Sequence, residues 1–238
     1  LAAFSLIVGV MPWLPPLRRA RAAEVDLAHC NGCARCAEDC PYEAIRMVGR
    51  TDGLPFPSQA QVNASLCTSC GICVGACPSS TPFRRSEELK TGIDLPDYDP
   101  KTLRERTIEA AKALSGPNRV LVFACDHGGG RGVEGAVGLP CVAMVPPSLL
   151  DYVLSRDLAD GVVIAGCAES ACFNRLGVAW TKQRIAAARD PYLRARVPRE
   201  RIATIWASAL ETRRVAAEIV AFMKTIAVLP RKKLRLPQ

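Results

Sequence analysis

Apolar and polar residues change their pattern at about residue 119. Beyond it, short continuous apolar runs alternate with segments whose apolar residues recur every three to four positions. "RVLVFAC" (119–125) and "GVVIAGC" (161–167) are uninterrupted and β-branched, as in strands covered on both faces. "RIATIWAS" (201–208) predicts a third strand. "PSLLDYVLSRDLA" (147–159), "GVAWTKQRIAAARD" (177–190) and "ALETRRVAAEIVAFMKTIAVL" (209–229) read as helices, the second running up to the proline at 191. Strands alternating with helices of this length predict an α/β domain, a parallel sheet covered by helices, with ligands off the carboxyl ends of its strands. Upstream, "DPKTLRERTIEAAKALSGPNR" predicts a helix opened at Asp99-Pro100 and stopped at Ser115-Gly116-Pro117. Residues 24–83 show little periodicity and hold eight of the twelve cysteines.

Five segments follow from these shifts: an apolar and basic arm (1–23), a cysteine-rich domain (24–83), a linker with a helix (84–118), the α/β domain (119–230) and a basic tail (231–238). Of the 238 residues, 49% are apolar, enough for a sizeable core and too many for intrinsic disorder. Only 5% are aromatic, as in a small domain whose interior is partly inorganic. The net charge of +8 gathers in "LRRARA" (17–22), "FRRS" (83–86) and "RKKLR" (231–235). No stacking aromatics interleave with these clusters, so they read as solvated surface and not as a nucleic-acid face. Residues 1–12 are apolar but short of the ~20 needed to span a bilayer. Trp13 and the arginines at 18, 19 and 21 come after them, the reverse of a signal peptide. That order is expected where a membrane helix leaves the bilayer on its cytoplasmic side; a soluble amphiphilic arm is the other reading.

The cysteine-rich domain repeats one spacing. "CNGCARCAEDCP" sets cysteines at 30, 33, 36 and 40, and "CTSCGICVGACP" at 67, 70, 73 and 77. In C-x2-C-x2-C-x3-C-P, three thiolates wrap one cubane and the fourth reaches the other. One [4Fe-4S] cluster is therefore expected on Cys30, Cys33, Cys36 and Cys77, and a second on Cys67, Cys70, Cys73 and Cys40. Structural zinc has no use for a third closely spaced cysteine, and neighbours in C-x-x-C-x-x-C bridge as disulfides only under strain. The stretch resembles the bacterial two-cluster ferredoxins, which implies an α+β ferredoxin-like dicluster domain. "RMVGRTDGLPFPSQAQVNAS" between the halves is longer than a minimal ferredoxin needs and predicts a surface hairpin able to dock a partner.

Four cysteines remain, in "VFACDHGGG", "GLPCVAMVPPS" and "GCAESAC". Four thiols from separate loops suit a third cluster, although any one alone would serve as a small core residue. With the strand ending in Cys125, the mid-domain Cys141, "ADGVVIAGC", "RLG" (175–177) and "RERIATIWASALE" (199–211), residues 119–230 resemble the delta subunit of the methyl-viologen-reducing hydrogenase, found with heterodisulfide reductase subunits. The resemblance implies a [2Fe-2S] cluster on Cys125, Cys141, Cys167 and Cys172. Members often carry several cysteines near the first strand, where this chain has Cys125 alone.

Other chemistry is absent from the pattern. Cys125-Asp126-His127 matches half of a Rieske motif, but Met144 stands where the second histidine belongs, leaving His127 as a loop hydrogen-bonding residue. Gly130, Gly132 and Gly135 fit G-x-G-x-x-G, yet no helix can follow before Cys141. With only His29 and His127, no catalytic triad assembles. The expected function is a relay of single electrons through two [4Fe-4S] clusters and one [2Fe-2S] cluster. The expected setting is a larger, membrane-associated oxidoreductase complex in the reducing cytoplasm, at the inner face of the cell membrane. A flavin-containing, hydrogenase or heterodisulfide-reductase-type subunit is the expected partner, with a cytochrome b or quinone-handling membrane subunit at the other end. The alternative is a heterodisulfide or sulfur-compound reductase component with Cys167 and Cys172 as its redox-active centre. Against it stands their C-x4-C spacing, where redox-active disulfides favour C-x-x-C.

Overall fold

The computed structural model describes residues 20–78 and 90–230. Most of the expected amino-terminal arm, the "FRRS" cluster and the basic tail lie outside these residues. In chain order, the first unit contains β1 (Glu24–Val25), α1 (Arg35–Glu38), β2 (Ile45–Gly49), β3 (Ser58–Val62), α2 (Ile72–Ala76) and β4 (Ile93–Asp94). β1 pairs antiparallel with β4, and β2 with β3, so the unit is a ferredoxin-type domain with two short helices. The hairpin expected from residues 46–65 is β2–β3. It is more than a surface appendage: Ile45 and Ala60 are buried, while Leu54 and Phe56 stay exposed near its tip.

The two cysteine repeats share a backbone conformation as well as a spacing. Gly32 and Ala34 flank Cys33 with φ of 68° and 63°; Ser69 and Gly71 flank Cys70 with φ of 58° and 73°. Left-handed residues on both sides of the second cysteine turn the chain tightly enough to aim successive thiols inward.

α3 (Pro100–Ala113) links the units. Asp99 caps it by accepting hydrogen bonds from the Thr102 amide at 2.9 Å and its hydroxyl at 2.6 Å, with Pro100 in the first turn. Then follow β5 (Val120–Cys125), β6 (Val137–Leu139), α4 (Pro147–Ser155), β7 (Gly161–Gly166), α5 (Gly177–Ile185), β8 (Ile202–Trp206) and α6 (Thr212–Val228). The sheet is parallel throughout, in the order β6-β5-β7-β8. Successive residues of β5 and β7 supply two cores. Leu121, Phe123, Val162 and Ile164 join the core that includes Leu149, Leu150 and Val153 of α4. Val120, Val122, Val163 and Ala165 pack with Val215, Ile219 and Ile226 of α6. Burial on both faces is why these strands read as unbroken apolar runs.

Three details depart from the sequence expectations or refine them. β6 joins the sheet next to β5 without an intervening α-helix, a strand too short to register as a pattern. α5 stops at Ile185, short of the expected 190, and Ala187 turns left-handed at φ 62°. The glycine-rich loop after β5 makes a 3-10 turn at Gly129–Gly132 and opens no α-helix, as its sequence led one to expect. Among the described residues no helix is long and apolar enough to cross a membrane.

Candidate metal centres

All twelve cysteines are free thiols, and the fold gathers them in three places. Cys30, Cys33, Cys36 and Cys77 line one pocket of about 290 Å³, walled by Met47 and Ala60 of the hairpin and by Gly92 and Ile93. Cys40, Cys67, Cys70 and Cys73 line a second of about 320 Å³ with Ala23, Tyr42, Ala44, Ile45 and Ile72. Each pocket takes three cysteines from one repeat and one from the other. α1 starts beside Cys36 in the first pocket and leads to Cys40 in the second; α2 makes the reverse crossing from Cys73 to Cys77.

Electrostatics states what these pockets demand. Burial, then the Cys77, Cys33 and Cys30 thiolates, push the Cys36 thiol up to about 12. Burial and the thiolates of Cys70, Cys36, Cys67 and Cys40 raise Cys73 well above the ordinary thiol range. A buried thiol that faces others in an apolar pocket resists ionisation unless a cationic group sits beside it. Iron supplies that charge, so these residues fit [4Fe-4S] clusters. The side chains ring pockets and do not converge on a point: among the described residues no group of three or more His, Cys, Asp or Glu forms a single-ion site. Backbone amides already point at sulfur, Ala44 N–H to Cys40 Sγ at 3.3 Å and Ala23 N–H to Cys67 Sγ at 3.5 Å. The buried Arg50 guanidinium donates to the carbonyls of Cys30 and Leu27, both at 2.7 Å, and ties the first cysteine loop to the hairpin.

The remaining four cysteines meet at the carboxyl edge of the parallel sheet. Cys125 ends β5, Cys141 follows β6, Cys167 follows β7, and Cys172 lies beyond a 3-10 turn at Glu169–Ala171. Cys125 and Cys167 Sγ are 3.5 Å apart. A hydrogen bond with Cys125 raises the Cys167 thiol, while one with Cys172 lowers it. Burial raises Cys141 strongly, with added repulsion from Cys70, Cys172 and Cys167. A hydrogen bond with Cys167, then burial, raises Cys172. The same argument as for the cubanes applies: this donor set fits an iron–sulfur cluster. Cys172 is half-buried, and beside it the exposed Phe173 ring stacks on His127 with centroids 3.6 Å apart. Met144, the residue that broke the Rieske pattern, is fully buried against Gly71 of the second pocket.

The sequence did not disclose what joins the second pocket to this edge. Asp39, buried beside Cys40, receives Arg184 on one carboxylate oxygen and Arg189 on the other. Arg184 also donates to Ala143 O at 2.7 Å; burial lowers its pKa and the Asp39 carboxylate opposes that. Trp180 Nε1–H donates to Asp39 O at 3.2 Å beneath the Arg189 guanidinium, which stacks 3.5 Å from its ring. Tyr42 donates to Asn174 Oδ1 at 3.0 Å, Asn174 Nδ2 donates to Pro140 O at 3.2 Å, and Arg175 donates to Pro41 O at 2.9 Å. Nothing in the sequence around Asp39 names partners more than a hundred residues away.

Comparison with known proteins divides the chain in the same way. Residues 29–81 match the family of 4Fe-4S dicluster domains. Residues 134–229 match the family described as "Methyl-viologen-reducing hydrogenase, delta subunit"; Cys125 lies before the matched stretch. A component of the Na(+)-translocating ferredoxin:NAD(+) oxidoreductase complex of Acetobacterium woodii is 47% identical over 70 residues, 29% of this chain. That match covers 19% of the relative's length. Both family matches agree with the resemblances carried by the cysteine spacing and by residues 119–230, and they support an iron–sulfur electron-transfer role.

Proposed function

From a chain that joins a 4Fe-4S dicluster domain to a domain of the methyl-viologen-reducing hydrogenase delta type, we propose a three-centre electron relay within a larger redox complex. Cys30, Cys33, Cys36 and Cys77 hold the first [4Fe-4S] cluster and Cys40, Cys67, Cys70 and Cys73 the second. Cys125, Cys141, Cys167 and Cys172 hold a [2Fe-2S] cluster. When bound, these clusters accept and release single electrons at potentials set by their surroundings. The protein's part is to bury the sulfurs, point amides at them and fix their spacing. One observation carries the proposal: twelve thiols sort into two pockets and one sheet edge, four to each.

The names of the similar proteins, a hydrogenase subunit and a component of a ferredoxin:NAD(+) oxidoreductase complex, support partners within a multisubunit redox assembly. A flavin-bearing or hydrogenase-type subunit would meet one end of the relay. The apolar and basic sequence before residue 24 supports placement at the cytoplasmic face of a membrane, beside a cytochrome b or quinone-handling protein.

Metal analysis of anaerobically purified full-length protein tests the relay. About ten irons per chain, and a [2Fe-2S] EPR signal that Cys167→Ser abolishes, are expected. Iron near eight with no such signal overturns the third centre. A dithiol formed by Cys167 and Cys172, five residues apart, is the second reading. Reversible labelling of those two thiols in the as-purified protein would favour it.

A further inference from the structure

We infer that the second [4Fe-4S] ligand set, and not the first, is the immediate neighbour of the third cysteine set, with Cys70 and Cys141 facing each other and Asn174 as the residue that fixes their spacing. This inference rests on the proposed third centre.

Cys70, Ile72, Cys141 and Ala143 form a single buried apolar cluster closed by Tyr42 and Trp180, so the space between the two sites is packed with side chains. Two glycines let α2 approach this boundary closely. A Cβ on Gly71 would stand 2.7 Å from Met144 Sδ, and one on Gly75 would overlap Ala143 O. α2 therefore lies directly on the 3-10 turn at Val142–Met144, next to Cys141. The first pocket is different. Its lining comes wholly from residues 30–93, and its Cys33 is exposed.

Asn174 holds the arrangement because it touches all three loops. It sits two residues after Cys172, accepts from Tyr42, two residues after Cys40, and donates to Pro140, just before Cys141. It is 3% exposed, so both hydrogen bonds form away from competing water. Arg175 repeats the tie by donating to Pro41 O while its guanidinium lies 5.0 Å from the centre of the Tyr42 ring. A side chain that bridges the loops of Cys40, Cys141 and Cys172 determines how far apart the groups they hold can be.

Magnetic interaction between neighbouring paramagnetic centres falls steeply with distance and reads this spacing without any turnover. In the anaerobic, reduced full-length chain, the [2Fe-2S] signal should relax faster than in an isolated centre. Cys67→Ser, in the second set, is expected to remove the enhancement, whereas Cys33→Ser, in the first, should leave it. Loss in Cys33→Ser with retention in Cys67→Ser, or no change in either, overturns the inference. Should either cysteine variant fail to fold, Asn174→Ala and Tyr42→Phe keep every ligand. At full iron content Asn174→Ala is expected to weaken the enhancement several-fold and Tyr42→Phe to weaken it less. Wild-type relaxation in Asn174→Ala overturns the positioning role. Wild-type protein with iron near eight and no [2Fe-2S] signal overturns the third centre itself and this inference with it; ten irons with unmoved relaxation overturn the inference alone.

Discussion

Gly177 is the first residue of α5, and a Cβ placed on it would overlap Cys141 Sγ and stand 3.6 Å from Cys172 Sγ. Gly177→Ala should displace Cys141 without touching the ferredoxin unit. Iron is expected to drop from about ten to about eight per chain with both cubane signals intact, checked by metal analysis and EPR. Asp94 supplies a prediction of another kind. Burial, with the nearby Asp99 and Glu24 charges, raises its carboxyl to about 6. Because the folded value lies above the unfolded one, protonated Asp94 favours the fold, and that contribution fades as pH rises from about 4 through 6. Asp94→Asn should therefore raise the thermal midpoint at pH 7.5 and have little effect at pH 4. Equal effects at both values would contradict it. Residues such as these are hard to read from sequence, since a glycine at a helix start and an aspartate in a two-residue strand have many ordinary uses. The eight cysteines of the dicluster domain were legible because their spacing repeats.

Element by element, the sequence was clearest where one force dominates. β5 and β7 showed as continuous apolar runs since both faces are covered, and α3 showed through its Asp-Pro start. Asp99→Ala removes that cap and should cost about 1 kcal/mol, read as a lower denaturation midpoint with unchanged iron content. α5 was overextended for a reason in its partners. Its alanine-rich end has helical propensity, but Arg184 and Arg189 must reach the same carboxylate. On an unbroken helix, side chains five residues apart point ~140° apart, so the left-handed turn at Ala187 brings them together. Tertiary demand overrode local preference there.

For the molecule as a whole, Asp39 is the residue on which the two units converge. Its partners stand 145 and 150 residues along the chain, a separation at which no local pattern carries information. Both side chains of the Asp39–Arg184 pair are almost wholly buried, and breaking such a pair typically costs about 3–5 kcal/mol. Arg189 still neutralises part of the Asp39 charge, so Arg184→Met should fall near the lower figure. It should also divide a single cooperative unfolding transition into two, followed by calorimetry. A single transition at the wild-type temperature would show that the junction contributes little. Fold class was thus readable from periodicity and the two ferredoxin repeats from spacing, while the packing of one unit on the other was not, because it depends on charges paired across most of the chain.

The exchange of cysteines between the repeats also sets a timetable for synthesis. Cys73 is the last cysteine of the second pocket and completes its lining, whereas the first pocket needs Cys77 and then Gly92 and Ile93, so the second is complete earlier on a growing chain. The sheet-edge site must wait for Cys172, on the order of 5–20 s further elongation at ordinary translation rates. During that interval the ferredoxin unit exposes the face of α2 and the Asp39 carboxylate that the later residues will cover.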